Sequence, residues 1–296
     1  MERQVKISVI MGVYNPVRER LIRAVESVIG QTMTEWEMLI CDDGSDLPGR
    51  EIIRETADMD GRIRCIENDK NMGLAYALNQ CLKHSKGKYI ARLDDDDESM
   101  PDRFRRQYEF LETHPEYGWT GSGAQLFDDN GVWGSRSMPE TPDREDFLKS
   151  SPYIHPSVMF RREVLGKSRG YLPMEITRRC EDYELFMRLH MMGYKGYNMR
   201  ENLIRYREDE NAYRKRTLHF RMNEMKIRYR GFQRMKILRP AKAMCVLRPL
   251  AGAVVPVTIL KHMKKREKGV STEQYGGNRE RVDRGLQKIQ AERGRS

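Results

Sequence analysis

Cysteine is scarce and scattered: Cys41, Cys65, Cys81, Cys180 and Cys245 stand apart, with no C-x-x-C pair. That argues against a cysteine zinc cluster or a disulfide framework and fits a reducing compartment. Long apolar runs are missing too. No stretch reaches the roughly 18 uncharged apolar residues that a membrane-crossing helix needs, so none is expected. The opening MERQVKISVIMGVY has no cationic stretch followed by a long apolar run, so no secretory signal is expected. These absences point to the cytoplasm.

What is present is charge, unevenly placed. Of 296 residues, 39% are hydrophobic and 33% charged, with a formal net charge of +10. Residues 201–296 hold 25 Lys and Arg against 10 Asp and Glu, whereas the first 200 hold 29 against 34. An acidic body thus carries a basic tail, which suits phosphate-rich partners such as nucleic acid, anionic lipid or a phosphorylated substrate.

The first hundred residues alternate strand and helix signals, as in a largely parallel sheet covered by helices. The apolar run 5-VKISVIMGVY-14 suits a strand buried on both faces. Pro16 is placed in the first turn of a helix over 16–31, where Leu21, Val25 and Val28 recur at helical spacing. Strands are expected over 36–43 and 62–68, helices to about residue 59 and over 71–87, and a fourth strand at KYIARLD. Ligands of such sheets bind beyond the carboxyl ends of the strands. Those ends carry Tyr14-Asn15, Asp42-Asp43-Gly44-Ser45-Asp46, Asn71-Met72-Gly73 and the tetrad Asp94 to Asp97. Four adjacent carboxylates repel one another, and a divalent cation bound with phosphate would relieve them. A helix is expected over 101–115, antiparallel structure over 117–160 with a hairpin at Asp128–Gly131, and an amphipathic helix over 180–193. Leu185, Leu189 and Met192 would face the core from that last helix.

The segments SVIMGVYN, DDGSD, NMGLAYALN, ARLDDDDES-x-P-x-R and EDYELFMRL, in this order, resemble the family 2 glycosyltransferases over about residues 5–216. The resemblance implies an α/β GT-A fold, Rossmann-like, with a mostly parallel central sheet flanked by helices, here with a basic helical C-terminal extension. It implies transfer of a sugar, with inversion, from a nucleotide-diphosphate donor, with UDP-sugars favoured, to a hydroxyl of a glycan or polyprenyl-linked glycan. The cofactor would be Mn2+ or Mg2+.

By the same resemblance, Gly12, Val13 and Tyr14 bound the nucleobase pocket, Asp43 accepts from the base, and Asn71 and Gly73 lie near the nucleotide. Asp94 would bind the ribose, with Asp95 as a helper, and Asp96 the metal. Asp97 would hold a metal-bound water or cap the helix near Pro101. Asp42 and Asp43 could instead cap the helix after their turn. Asp182 matches the general base; its plain alternative, shared with Glu181, is that both acids favour the helix N-terminus. His155 falls on the acceptor side, where a structural role is as well supported. Asp209 replaces a family histidine and leaves a third metal ligand open, while Arg214, Lys215 and Arg216 would clamp the diphosphate.

In the tail, the apolar residues of 241–269 sit among cations, as in a segment lying on an anionic membrane surface. Packing on the catalytic body or on a second copy of the chain is the alternative. The chain divides on this reading into a catalytic domain (1–216), a basic helical segment (217–269) and a polar, poorly ordered tail (270–296). Two other classes compete. A nucleotidyltransferase would want a glycine-rich loop with a cation after the first strand, and MGVYNPVRER has one glycine there. A nucleic-acid binder would use the basic tail but leaves the aspartates unexplained, so no nucleic-acid partner is expected. The motif Q-x-x-R-W of processive synthases is missing, which favours single-sugar addition.

Overall fold

Strand β1 (Ile7–Val13) forms because its apolar run can be covered on both faces. Residues 4–208 and 217–254 are described by a computed structural model. In chain order there follow α1 (Arg18–Ile29), β2 (Trp36–Asp42), α2 (Leu47–Ala57), β3 (Ile63–Glu67), α3 (Leu74–His84) and β4 (Tyr89–Arg92). Next come β5 (Glu98–Ser99), α4 (Arg103–Thr113), β6 (Tyr117–Asp128), β7 (Gly131–Arg136), β8 (Met159–Arg161) and α5 (Arg162–Lys167). Then follow α6 (Glu181–Met191), β9 (Lys195–Arg207), α7 (Leu218–Arg234) and α8 (Met244–Val254).

One sheet runs β3-β2-β1-β4-β8-β6-β9-β5, with β7 also paired to β6. Its first four strands are parallel, as expected of successive β-to-α units. Beyond β4 the sheet is mixed: β8 is antiparallel to β4 and β6, β9 is parallel to β6, and β5 is antiparallel to β9. The unbroken parallel run therefore belongs to the first half, and the second half keeps one parallel pair, β6 with β9. Strand β3 forms one margin of the sheet. The expected hairpin is present, with Asp128 opposite Gly131 and Gly131 at φ 111°.

Successive residues of β1 alternate between two cores. Ile10 joins the core under α3 and α6, while Val9 and Met11 join the one under α1 and α4. In α1, Leu21, Ala24, Val25 and Val28 are buried at helical spacing. Pro16 lies outside that helix, whose N-cap is Val17, so the proline sets the approach rather than the first turn. Met192 is also displaced from expectation: Leu185 and Leu189 are fully buried, but Met192 follows the end of α6 and is 45% exposed.

Helices α7 and α8 close over the same core. Ile227, Phe232, Met235 and Val246 are buried with the α6 residues Leu185 and Phe186. Arg228, itself buried, donates to the carbonyls of Leu148, Lys149 and Cys245 and pairs with Glu224. This packing is the alternative weighed for the basic tail, realised over residues 217–250. Residues 255–296, including most of 241–269, lie outside the described residues.

Candidate active site

The carboxyl ends of β1, β2 and β4 and the first turn of α6 build the site. At the end of β1, Gly12 lets α3 approach: a Cβ there would stand 2.9 Å from Leu74 Cδ1 and 3.1 Å from Ala77 Cβ. Val13 is buried and Tyr14 half-exposed. The β1 and β2 ends are tied together, since Asn15 N donates to Ser45 Oγ (2.9 Å) and Asp46 N to Asn15 Oδ1 (2.9 Å).

In DDGSD each acid has a separate task. Asp42 accepts from Ser45 N at 2.8 Å and closes the turn. Asp46 caps α2 by accepting from Gly49 N at 2.9 Å, so the capping role suggested for Asp42 and Asp43 falls to it. Asp43 is buried and accepts from Asn68 Nδ2 (2.9 Å), Met72 N (2.9 Å) and Gly73 N (2.7 Å). Its carboxylate therefore organises the 68–73 turn. A carboxylate offers about four acceptor positions, and three are used here. Gly73, at φ 91°, is the N-cap of α3, and a Cβ on it would stand 3.4 Å from Arg178 Nε. Arg178 donates to Asn71 Oδ1 at 3.0 Å and so ties the loop before α6 to this turn.

After β4 the tetrad follows different terms. Arg92 is fully buried and donates to Asp94 Oδ1 and to the carbonyl of Leu93. Asp94, Asp95 and Asp96 are partly exposed. Asp97 is buried; its Oδ1 accepts from Arg207 N at 2.7 Å, while its Oδ2 has no hydrogen-bond partner. Burial first, then the charges of Asp96 and Asp94, hold its carboxyl well above the usual carboxylate range. The expected helix cap is thus corrected. Helix α4 starts at Arg103 with Asp102 as N-cap, and Asp97 instead pins β9. Arg103, also fully buried, donates to Gln107, Ser99 and the carbonyls of Arg92 and Val158. Burial pulls its pKa down to about 9.

Glu181 and Asp182 open α6, where the helix dipole favours their negative charge. Glu181 is buried, and burial pushes its carboxyl up to about 6. Asp182 is partly exposed. Tyr171 lies within electrostatic reach of both the acids that follow β4 and those that open α6. Burial raises its hydroxyl, the Arg92 charge opposes the rise, and Asp182, Asp94 and Glu181 add to it. His155 is buried with its Nε2 2.7 Å from the Tyr171 hydroxyl, and burial then Arg92 hold its pKa well below the usual value. It acts as a neutral structural partner of Tyr171.

Asp209, Arg214, Lys215 and Arg216 lie outside the described residues. Among the described residues no group of three or more His, Cys, Asp or Glu is arranged to hold a metal unaided. The tetrad nonetheless fits a hard divalent cation completed by phosphate oxygens, because it is all-oxygen and leaves a buried carboxylate oxygen unpartnered. Asn68, Arg92 and Arg178 were not identified from sequence. The legible signal was strongest for Arg92, a cation inside an otherwise apolar strand just before the acids.

Comparison with known proteins identifies the family and the fold. The model of glycosyl transferase family 2 matches residues 8–169. The putative glycosyltransferase EpsE of Bacillus subtilis (strain 168) is 36% identical over 262 residues, 88% of this chain and 94% of its own. WfaP of Escherichia coli, named a UDP-Glc:alpha-D-GlcNAc-diphosphoundecaprenol beta-1,3-glucosyltransferase, is 32% identical over 193 residues, 65% of this chain and 73% of its own. The mannosyltransferase PcManGT from Pyrobaculum calidifontis, solved with GDP-Man and Mn2+, shares the fold. Its TM-score is 0.58 at 16% identity, covering 89% of this chain and 80% of that one. With the family model matching more than half of its length and a relative aligned along most of it, the chain belongs to glycosyl transferase family 2, as an enzyme of the GT-A fold.

Proposed function

We propose that this enzyme is an inverting, divalent-cation-dependent glycosyltransferase acting in cell-surface polysaccharide synthesis. It would move one sugar from a nucleotide-diphosphate donor, with UDP-sugars favoured, to a hydroxyl of a glycan or polyprenyl-linked glycan. The observation that carries the reading is that partly exposed acids after β4 and at the start of α6 lie within electrostatic reach of the same residue, Tyr171. That proximity supports donor-side acids and a candidate base serving one site.

Asp94 accepts from the ribose hydroxyls, assisted by Asp95, and Asp96 holds the cation. When bound, the cation supplies Lewis-acid stabilisation of the charge growing on the departing diphosphate. Gly12, Val13 and Tyr14 bound the nucleobase, and Asp43, which also orders the turn through Gly73, accepts from the ring N–H of the base with its remaining acceptor capacity. Asp182 takes the proton from the acceptor hydroxyl as that oxygen attacks the anomeric carbon. The bond to the diphosphate breaks in the same step, so one base suffices and the anomeric configuration inverts. This differs from retaining glycosidases, which need two flanking carboxyls. The acceptor in WfaP's name, a diphosphoundecaprenol-linked sugar, supports a lipid-linked acceptor here, and the Mn2+ of PcManGT supports the cation.

The C-terminal hairpin would bring the site to such an acceptor. Leu218, Met222, Met244 and Leu247 are exposed, beside the cations Lys226, Arg230, Arg234 and Arg248. We assign these exposed residues, together with the cation-rich sequence 241–269, to the anionic inner surface of the cytoplasmic membrane. Each cation near that surface contributes on the order of 1 kcal/mol.

The test is calorimetric binding of a panel of nucleotide-sugars with and without Mn2+, followed by transfer assays. Asp96→Asn should abolish cation-dependent donor binding. Asp182→Asn should keep that binding and lower turnover about 10²–10⁴-fold. Undiminished cation-dependent binding in the first variant, or near-normal turnover in the second, would refute the corresponding role.

A further inference from the structure

We propose that Arg178 is a positioning residue for the transfer step. By clasping Asn71 it ties the placement of the first turn of α6, which carries Asp182, to the donor-side turn, a role that rests on the nucleotide-sugar reading above.

The start of α6 depends on its surroundings. Its N-cap, Cys180, makes no side-chain capping hydrogen bond, so the first turn lacks the acceptor that ordinarily fixes a helix start. One residue earlier, Arg179 has φ 67°, in the left-handed region that a non-glycine residue keeps only when its neighbours hold it there. Leu185 and Leu189 anchor the body of α6 in the core, whereas its beginning takes its position from residues 175–180.

That segment is tethered at two points. Glu175 is held to α7: its carbonyl accepts from Asn223 Nδ2 at 3.1 Å, and its carboxylate lies 3.2 Å from His219 Nε2. Arg178 makes the second tether. It donates to Asn71 Oδ1 at 3.0 Å, stands 3.6 Å from the Glu175 carboxylate, and lies against Gly73, where a Cβ would be 3.4 Å from its Nε. Asn71 belongs to the turn that Asp43 organises through Met72 N and Gly73 N. One hydrogen bond therefore joins the donor-side turn to the segment that leads into Asp182.

The Arg178 side chain is 41% exposed, so this bond contributes little to global stability. Its leverage is on geometry, because displacing a reacting group by about an ångström costs on the order of a hundredfold in rate. A nucleotide that orders the 68–73 turn also orders, through Arg178, the residues ahead of the base. Arg178 acts through Asn71 and through the loop, and it touches neither donor nor acceptor.

The experiment uses the full chain and the variants Arg178→Met, Asn71→Ala and Arg178→Met/Asn71→Ala. Affinity for UDP and for GDP with Mn2+ is read by calorimetry. Backbone hydrogen exchange over 68–73 and 174–182 is then compared with and without Mn2+ and the tighter diphosphate, at concentrations that saturate each variant. In the wild-type protein the nucleotide should slow exchange in both segments. In each variant it should slow exchange over 68–73 alone, and the double variant should lose no more than either single one. A merely structural tie would instead speed exchange over 174–182 equally with and without nucleotide, leaving the nucleotide-dependent difference intact. All three variants should melt within about 2 °C of the wild type.

If Arg178→Met fails to fold, Asn71→Ala, which breaks the same bond without removing a charge, carries the test. Nucleotide-dependent slowing over 174–182 that survives in the variants overturns the proposal, as does a wild-type protein protected over 68–73 alone. A loss of more than about tenfold in diphosphate affinity in Arg178→Met would make the guanidinium a direct ligand of the phosphates and overturn the positioning role. Failure of the wild-type protein to bind either diphosphate with Mn2+ would instead overturn the nucleotide-sugar reading itself.

Discussion

The acidic segments that end β2 and β4 are alike in composition and opposite in construction. After β2, the protein's own donors consume the charge. Asp42 accepts from Ser45 N, Asp46 from Gly49 N, and Asp43 from Asn68, Met72 N and Gly73 N. After β4, one carboxylate faces a buried guanidinium and another keeps an oxygen with no hydrogen-bond partner. The first segment is largely satisfied by donors of the fold itself. In the second, the buried Asp97 keeps an oxygen that no donor answers. Clusters of like residues thus reveal their purpose by how many of their lone pairs the fold itself satisfies.

The largest expected effect lies at Asp43. Asp43→Asn removes charged acceptor capacity from the partly buried backbone N–H groups of Met72 and Gly73 and from the buried Asn68 amide. It should cost about 3 kcal/mol in urea denaturation and expose the 68–73 turn to hydrogen exchange. A loss near zero would place the β2 acids in the same class as the tetrad.

Asp97→Asn should act in the opposite direction. Replacing a buried, half-satisfied carboxylate with a neutral amide should stabilise the cation-free protein by about 2 kcal/mol. Destabilisation would mean that the β4 end is as fully satisfied as the β2 end.

The smallest effect separates α6 from both. The Glu181 carboxyl rises from 4.5 to about 6 on folding, chiefly through burial. Between those values the folded protein retains a proton that the unfolded chain has released, so stability falls as pH rises through the window. Glu181→Gln should therefore stabilise by about 1–2 kcal/mol at pH 7 and by nothing below about pH 4.5. A gain independent of pH would point to repacking rather than charge.

Much of this was legible in the sequence. Apolar runs and helix periodicity located the parallel strands and their helices. The rule that ligands gather beyond strand ends pointed to the acidic segments after β2 and β4, within which the family resemblance assigned roles to Asp43, Asp94 and Asp96. Asp128 to Gly131 announced the hairpin. What escaped were partnerships over distance. KYIARLD marks Arg92 as a lone cation in an apolar strand but does not name its partner, and arginine is ordinarily an exposed residue. Three residues of β8 carry no period strong enough to reveal that they insert antiparallel between β4 and β6. Asn68 and Arg178 sit in loops, and their contacts with Asp43 and Asn71 span 25 and 107 positions of chain. Local propensity does not encode such contacts.

The placement of β3 at the sheet margin has a consequence for the protein in a crowded cell. Such a strand turns a row of amides and carbonyls outward, a template on which another molecule's strand can extend. Here Arg64 is held to Glu37 at 2.8 Å and Glu67 to Arg54 at 2.9 Å, so fixed charges stand guard along that margin. An approaching strand would have to strip water from these ion pairs before pairing, which favours dispersed molecules over aggregates.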